Sequence, residues 1–359
     1  MKRRPEGDQR RARQVLDALR RVQDPELRKD IVSLGFIDTV SVADGFVSFR
    51  LTLTTPACPM RDLLRRQCEE AVRSLPWVKG VSIEVAARVP GTPASRDLLP
   101  GVCNIVAVGS GKGGVGKTTV AVNLALSLAA QGAQVGLLDA DIYGPNVPRM
   151  LGLSEQPAVE QGKIVPLTTQ GLRVMSMGLL TEAATPVIWR GPLVMKAVQQ
   201  FLGDVAWGEL DYLFVDLPPG TGDVQLTLAQ TVTLTGAVLV TTPQPVALDD
   251  TLRGLEMFRR VNVPVLGMIE NMSYFLCPHC GKETDIFGRG AVRQACERLG
   301  IEFLGEIPLS GAIREGSDSG RPVALLSGPE AERFREIASR VAAQVSVAAW
   351  RASPEGARG

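Results

Sequence analysis

The chain has 359 residues, 45% hydrophobic and 21% charged, with a formal net charge of +1. This exceeds one typical domain and supplies enough apolar material for a sizeable core, so two domains are expected. The near-neutral balance excludes a globally basic nucleic-acid or membrane-surface protein. No run is apolar for the ~18 residues a spanning helix needs, and no signal peptide precedes the first helix. A cytoplasmic protein that binds neither nucleic acid nor membrane is therefore expected. Six cysteines with one close pair do not form the dense framework of a secreted disulfide scaffold.

In chain order, the arginine-rich start MKRRPEGDQRRARQ reads as a frayed, solvated tail. Val15, Leu16, Leu19 and Val22 keep helical spacing, and DGFVSFRLTLT sets Val47, Phe49, Leu51 and Leu53 against Phe46, Ser48, Arg50 and Thr52. That alternation is a half-buried strand after a turn. A second helix runs through Met60, Leu64, Cys68 and Val72, and VKGVSIEVA supplies another strand. Residues 1–87 are expected to form a small α+β domain. RVPGTPASRDLLPG, with three prolines and two glycines, reads as a linker over 88–101. From 102 to 345 short apolar strands alternate with helices, from NIVAVGS to PVLGMIEN, which predicts a mostly parallel sheet wrapped on both faces. Phe334, Ile337, Val341 and Val345 line one face of the last helix, as docking onto the sheet requires. Residues 346–359 are expected to be a flexible tail.

The turn after the first of these strands is GSGKGGVGKTT. Gly109, Gly111 and Gly114 satisfy the dinucleotide fingerprint G-x-G-x-x-G, with Asp139 near the position of a ribose-binding acid. The same turn satisfies G-x-x-x-x-G-K-[ST] through Gly111, Gly116, Lys117 and Thr118, and only this second reading uses every residue. Glycines let successive N–H groups point into one concavity, and the following helix N-terminus adds its positive end, so the loop holds phosphate oxygens. Lys117 neutralises the β and γ phosphates, and Thr118 offers a hydroxyl to Mg²⁺. Asp216, ending the apolar strand in YLFVDLPPGTGD, supplies the second metal ligand.

CPHC places Cys277 and Cys280 around His279, the only histidine, at metal-site spacing. Two ligands rarely suffice, and Cys58 and Cys68 have nine residues between them rather than two. A two-fold dimer brings the same loop against itself and provides four thiolates. Four thiolates suit zinc and a [4Fe–4S] cluster equally. His279 reads as a loop side chain, and Cys68, Cys103 and Cys296 as core. Cys58, just before Pro59 and a helix start, stands where a helix N-terminus favours thiolate.

Lys112 within GKGGVGKTT makes the chain resemble the deviant Walker A group of P-loop ATPases, which includes partitioning ATPases, the nitrogenase iron protein and Mrp-type carriers. LLDADIYGPNVP, DLPPGTGD and IENMSYFLCPHCGKETDIFGRGA are similar to the Mrp/ApbC-type iron–sulfur cluster carriers, while DPELRKDIVSLGFID and TTPACPM resemble their PaaD-like N-terminal domain. The resemblance implies an ATP-hydrolysing carrier. Its nucleotide would lie on Gly111, Lys112, Gly113, Gly114, Val115, Gly116, Lys117, Thr118 and Thr119, with Asn271 at the adenine. Lys112 would reach a partner's nucleotide across a homodimer, and Asp141 would position water or metal at the γ-phosphate, so Lys112, Lys117 and Asp141 form the catalytic set. Cys277 and Cys280 would share a [4Fe–4S] cluster across the dimer, received from iron–sulfur assembly proteins and passed to apoprotein clients. Three alternatives remain: a partitioning or positioning scaffold ATPase, a zinc-stabilised ATPase without a cluster, and an iron-protein-like electron donor. The last is disfavoured because GDVQLTLAQ has no cysteine.

Overall fold

The computed structural model describes residues 6–91, 98–142, 144–180, 191–277 and 279–353. Between Val89 and Pro90 the chain divides into two compact units.

In the first unit, helix α1 (Glu6–Leu19) and a short ladder of β1 (Gln23–Asp24) with β2 (Lys29–Asp30) precede β3 (Ile37–Ala43) and β4 (Phe46–Leu53). Helix α2 (Arg61–Arg73) then crosses over to β5 (Gly80–Ala87), which pairs parallel to β4, while β3 pairs antiparallel on the other side. The period of β4 is two, as expected: Val47, Phe49, Leu51 and Leu53 are buried. Val15 and Leu19 of α1 and Leu64, Cys68 and Val72 of α2 are buried as well, and the two helices pack on each other and on β3 and β5. Each such side chain contributes about 1.5–3 kcal/mol by leaving water. The expected N-terminal tail is corrected in part: the chain is helical from Glu6. Trp77 Nε1 donates to Gln14 Oε1 at 2.8 Å, and the Arg11 guanidinium lies 5.2 Å from the Trp77 ring centre, so packing holds this polar segment. Residues 1–5 lie outside the described residues.

The second unit is built on an eight-stranded sheet in the order β10-β11-β7-β12-β6-β13-β14-β17. These are β6 (Val102–Gly109), β7 (Val135–Asp139), β10 (Leu167–Thr169), β11 (Leu172–Ser176), β12 (Leu210–Asp216), β13 (Gly236–Thr241), β14 (Val265–Glu270) and β17 (Phe303–Glu306). All neighbours are parallel except β10 against β11. Two minor ladders, β8 (Val159–Glu160) with β9 (Lys163–Ile164) and β15 (Phe275–Leu276) with β16 (Glu283–Thr284), stand apart from the sheet.

Helices α3 (Lys117–Ala130), α4 (Val147–Met150), α5 (Gly191–Gly203), α6 (Asp223–Thr231), α7 (Pro245–Arg260), α8 (Ala291–Leu299), α9 (Gly311–Asp318) and α10 (Pro329–Ala352) complete the unit. Helix α3 is buried along most of its length, which its mostly apolar sequence permits. Phe334, Ile337, Val341 and Val345 of α10 are buried as their spacing predicts.

The tail expected from 346 is corrected. Helix α10 continues to Ala352 because Ser346, Val347 and Ala349 are also buried; residues 354–359 lie outside the described residues. The linker expected at 88–101 falls partly on 92–97, also outside them. At its borders Arg88 N–H donates to Leu53 O in the first unit, and Asn104 Nδ2 donates to Pro90 O in the second.

Candidate functional site

Parallel pairing sets Asp216 beside Asp139 and Val108, and Thr241 beside Glu270, so the ends of β6, β7, β12, β13 and β14 form one edge. In open α/β sheets this carboxyl edge is where ligands bind. The glycine-rich loop leaves β6 there and enters α3 at Lys117. Gly114 and Gly116 both have φ of +82°, a backbone that glycine adopts without strain. A Cβ on Gly116 would meet Asn271 Nδ2 at 2.2 Å. Gly111 sits on α7, where a Cβ would fall 2.2 Å from the Asp250 carbonyl carbon and 2.3 Å from Thr251 N.

Gly111→Ala must therefore push α7 away from the loop, an overpacking that costs about 1–3 kcal/mol. It is expected to lower the denaturation midpoint and weaken ATP binding in a calorimetric titration. For the denaturation midpoint Gly113→Ala is the control, since its Cβ would lie no closer than 3.9 Å to a neighbour, at Pro219.

The charged groups converge from separate strands. Lys117, only 6% exposed, donates through Nζ to Asp216 Oδ1 at 2.6 Å and lies 3.9 Å from Asp141 Oδ2. Thr118 Oγ1 donates to the other Asp216 oxygen at 2.7 Å. Asp139 accepts from Asp141 N–H at 3.1 Å, Ser176 Oγ at 2.9 Å and Val147 N–H at 3.3 Å, and so organises the loop that carries Asp141. Burial, then the Asp216 charge, pushes Asp139 up to about 8 against its hydrogen bond from Ser176 and the Lys117 charge. Burial likewise raises Asp141, with Lys117 opposing.

Raised above the unfolded value of 3.8, Asp139 contributes stability that is present below about pH 4 and lost as pH rises through about 8. Measured without nucleotide, the urea midpoint is therefore expected to fall across that window, and Asp139→Asn to flatten the fall. An unchanged slope in the variant would place the pH dependence elsewhere.

Asn271, at the end of β14, donates through Nδ2 to Val115 O at 2.8 Å and is buried. It therefore touches the phosphate loop itself. Lys112 is half-buried on the loop, and Ser110 Oγ donates to its carbonyl at 3.1 Å. The motifs did not reveal Ser176 or Gln225. Gln225 Nε2 donates to Pro218 O at 2.8 Å and Gly220 O at 3.0 Å, fixing the loop after Asp216. No local pattern marks either residue, because each acts on a loop that the fold brings to it.

Cys277 and Cys280 lie on the turn between β15 and β16, the first half-buried and the second exposed, as is His279. Gly281 N–H donates to Cys277 O at 2.9 Å and Cys277 N–H to Lys282 O at 3.0 Å, closing the turn. Backbone N–H groups of His279 and Cys280, with the Cys280 thiol, hold Cys277 below the usual thiol range, which suits a metal-binding thiolate. Among the described residues no group of three or more His, Cys, Asp or Glu side chains could hold a metal ion.

The thiolate expected at Cys58 is corrected. Burial pushes its thiol up to about 11, Glu26 and Asp24 add to this, and the helix begins only at Arg61. Cys68 and Cys296 are buried as expected, pushed up to about 12 and about 11. Cys103 is half-buried rather than core.

Residues 101–343 match the family model described as the NUBPL iron-transfer P-loop NTPase. The chain belongs to this family. Residues 12–85 match a second model, the iron-sulfur cluster assembly protein. An iron-sulfur cluster carrier protein of Synechocystis sp. is 51% identical over 347 residues, covering 93% of this chain and 98% of that one. The corresponding protein of Escherichia coli is 42% identical, covering 92% and 91%. Among solved structures, the nucleotide-binding protein of Archaeoglobus fulgidus in complex with ADP is 41% identical with a TM-score of 0.58, over 66% of this chain and 93% of that one. The cell division ATPase MinD of Pyrococcus furiosus, 24% identical with a TM-score of 0.52 over 66% and 98%, shares the fold. As a member of the iron-transfer P-loop NTPases, the chain carries its phosphate loop and its cysteine turn in one unit.

Proposed function

We propose that this P-loop NTPase binds and hydrolyses ATP, assembles a [4Fe–4S] cluster between two copies of itself and transfers it to apoprotein clients. The observation that carries this reading is the Cys277–Cys280 turn, whose backbone favours thiolate while the described residues offer it no third ligand. A second copy supplies the other two. The names of the Synechocystis and Escherichia coli relatives support a cluster over zinc as the cargo. Residues 1–87 act as the iron–sulfur maturation domain, 88–101 as the linker and 102–345 as the ATPase. Donor assembly proteins load the carrier, and the work is done in the cytoplasm. No helix among the described residues is long and apolar enough to cross a membrane.

At the nucleotide, residues 111–119 receive the phosphates and Lys117 leaves Asp216 to neutralise them. Thr118 Oγ1 and Asp216 Oδ2, 2.7 Å apart, are oxygen donors that fit Mg²⁺. Bound there, the ion would neutralise charge developing on the phosphates. Asp141 positions the attacking water, Lys112 contacts the partner's nucleotide, and Asn271 carries the adenine side of the site to the loop through Val115. Loss of the γ-phosphate releases the loops that hold Asp141 and follow Asp216, and so loosens the bridging site.

The test is anaerobic reconstitution with iron and sulfide, then transfer to an apo-[4Fe–4S] acceptor with and without ATP. Sulfide-dependent absorption, about one cluster per dimer and acceptor activation are expected. Retained zinc with no such absorption would overturn the cluster reading and leave the zinc-stabilised ATPase.

A further inference from the structure

One guanidinium ties the cysteine turn to the sheet. Arg289 Nη1 donates to Glu283 Oε2 on β16 at 2.6 Å. Its Nε donates to Glu306 Oε2 at the end of β17 at 3.1 Å, and Nη2 donates to Glu306 Oε1. The same group lies over the Tyr274 ring, 4.2 Å from its centre, immediately before β15. Arg289 thus touches the chain entering the hairpin, the strand leaving it and the edge of the sheet.

The anchor is itself fixed. Gly290 and Val292 N–H both donate to the buried Glu270 carboxylate at 3.0 Å, and Ser273 Oγ donates to it as well. Glu270 directly precedes Asn271, whose amide sits on the phosphate loop. Strand β14 therefore ends in two adjacent side chains, one gripping the loop that carries Arg289 and the other the nucleotide site.

An exposed ion pair contributes little, but a planar fork bridging carboxylates on two elements is the exception. The entering strand is bridged to the chain after β17 at Phe275–Leu309, whereas β16 pairs among the described strands with β15 alone, so Arg289 gives this otherwise marginal outer strand a tether of its own. We propose that Arg289 is a positioning residue for the cysteine pair: its bridge from Glu283 to Glu306 holds Cys277 and Cys280 in one geometry, so that two copies can close a four-thiolate site. The role as cluster ligands rests on the function proposed above; the tether does not.

The test compares full-length wild type with Arg289→Met, Arg289→Lys and Glu283→Gln. Glu283→Gln takes the charge out of the same contact at an exposed position and leaves Arg289 on Glu306. In metal-free protein, at a pH above the ordinary thiol range so that labelling reports access to the half-buried Cys277 and not its ionisation, per-residue iodoacetamide labelling read by mass spectrometry is expected to run roughly tenfold faster at Cys277 in Arg289→Met and Glu283→Gln, as loss of a charged hydrogen bond predicts. Arg289→Lys falls between, because an ammonium cannot bridge both carboxylates as a fork. After reconstitution, cluster loss to a chelator accelerates in the same order, while ATP hydrolysis stays within about twofold. Wild-type labelling rates in Arg289→Met and Glu283→Gln would overturn the proposal, as would faster labelling with unchanged cluster retention. If wild type takes up no cluster but the variants still label faster, the cluster reading fails and the tether stands.

Discussion

Replacing Lys117 by alanine is expected to abolish ATP hydrolysis, with a loss of at least about 10²–10³-fold, the scale seen when one preorganised charge-stabilising donor is removed. The side chain stands in the first turn of α3, with Nζ 2.6 Å from Asp216 Oδ1 and 3.9 Å from Asp141 Oδ2. The same substitution should also weaken the fold measured without nucleotide. Lys117 neutralises the fully buried Asp216, which lies beside the equally buried Asp139 in the sheet register. Removing one partner of a buried pair leaves an uncompensated charge at a cost of about 3–5 kcal/mol. Lys117→Ala combined with Asp216→Asn should recover most of that stability and none of the hydrolysis. Cluster uptake at the cysteine turn, which lies on a different loop, should survive in Lys117→Ala while transfer in cells is lost. Hydrolysis within a few-fold of wild type would remove Lys117 from the catalytic set, and intact transfer would remove ATP from the transfer step.

The second large effect is expected at the cysteine turn. Cys277→Ala/Cys280→Ala should remove the sulfide-dependent absorption entirely, with ATP hydrolysis retained. Neither side chain is part of the core, so stability should change by no more than about 0.5 kcal/mol, as is usual for surface sites. A two-fold axis doubles every substitution: Cys277→Ser alone removes two ligands of four and should be nearly as damaging as the double change. A single-cysteine variant that keeps half the cluster would contradict a shared site. Absorption retained in the double variant would move the cluster elsewhere in the chain.

Much of the fold and of the nucleotide site is legible in the amino-acid sequence, for reasons that differ by residue. The phosphate loop requires contiguous N–H groups and one following helix, so the whole device lies in a single stretch from Gly111 to Thr119. The alternation in β4 and the line of Phe334, Ile337, Val341 and Val345 are local periods set by which face meets a core. Even Asp216 is readable, because a carboxylate ending a buried apolar strand is costly unless a cation meets it there. Cys58 misleads because its neighbours suggest a helix N-terminus, whereas its reactivity depends on burial by residues distant in sequence. The end of α10 is expected too early because Ser346 and Ala349 look polar or small in sequence and are buried only in context.

The amino-acid sequence by itself determined the two-unit division, the strand–helix alternation, the phosphate loop and the paired cysteines, since each is a short pattern whose physics closes within a few residues. Strand order was beyond it. Only when β12 inserts between β6 and β7 does Asp216 come between the loop and Asp139, within 2.6 Å of a lysine 99 residues away. Asn271 meets Val115, and Arg289 joins Glu283 to Glu306, for the same reason. Such contacts depend on which distant strand ends share an edge, and that is decided by how the whole core packs.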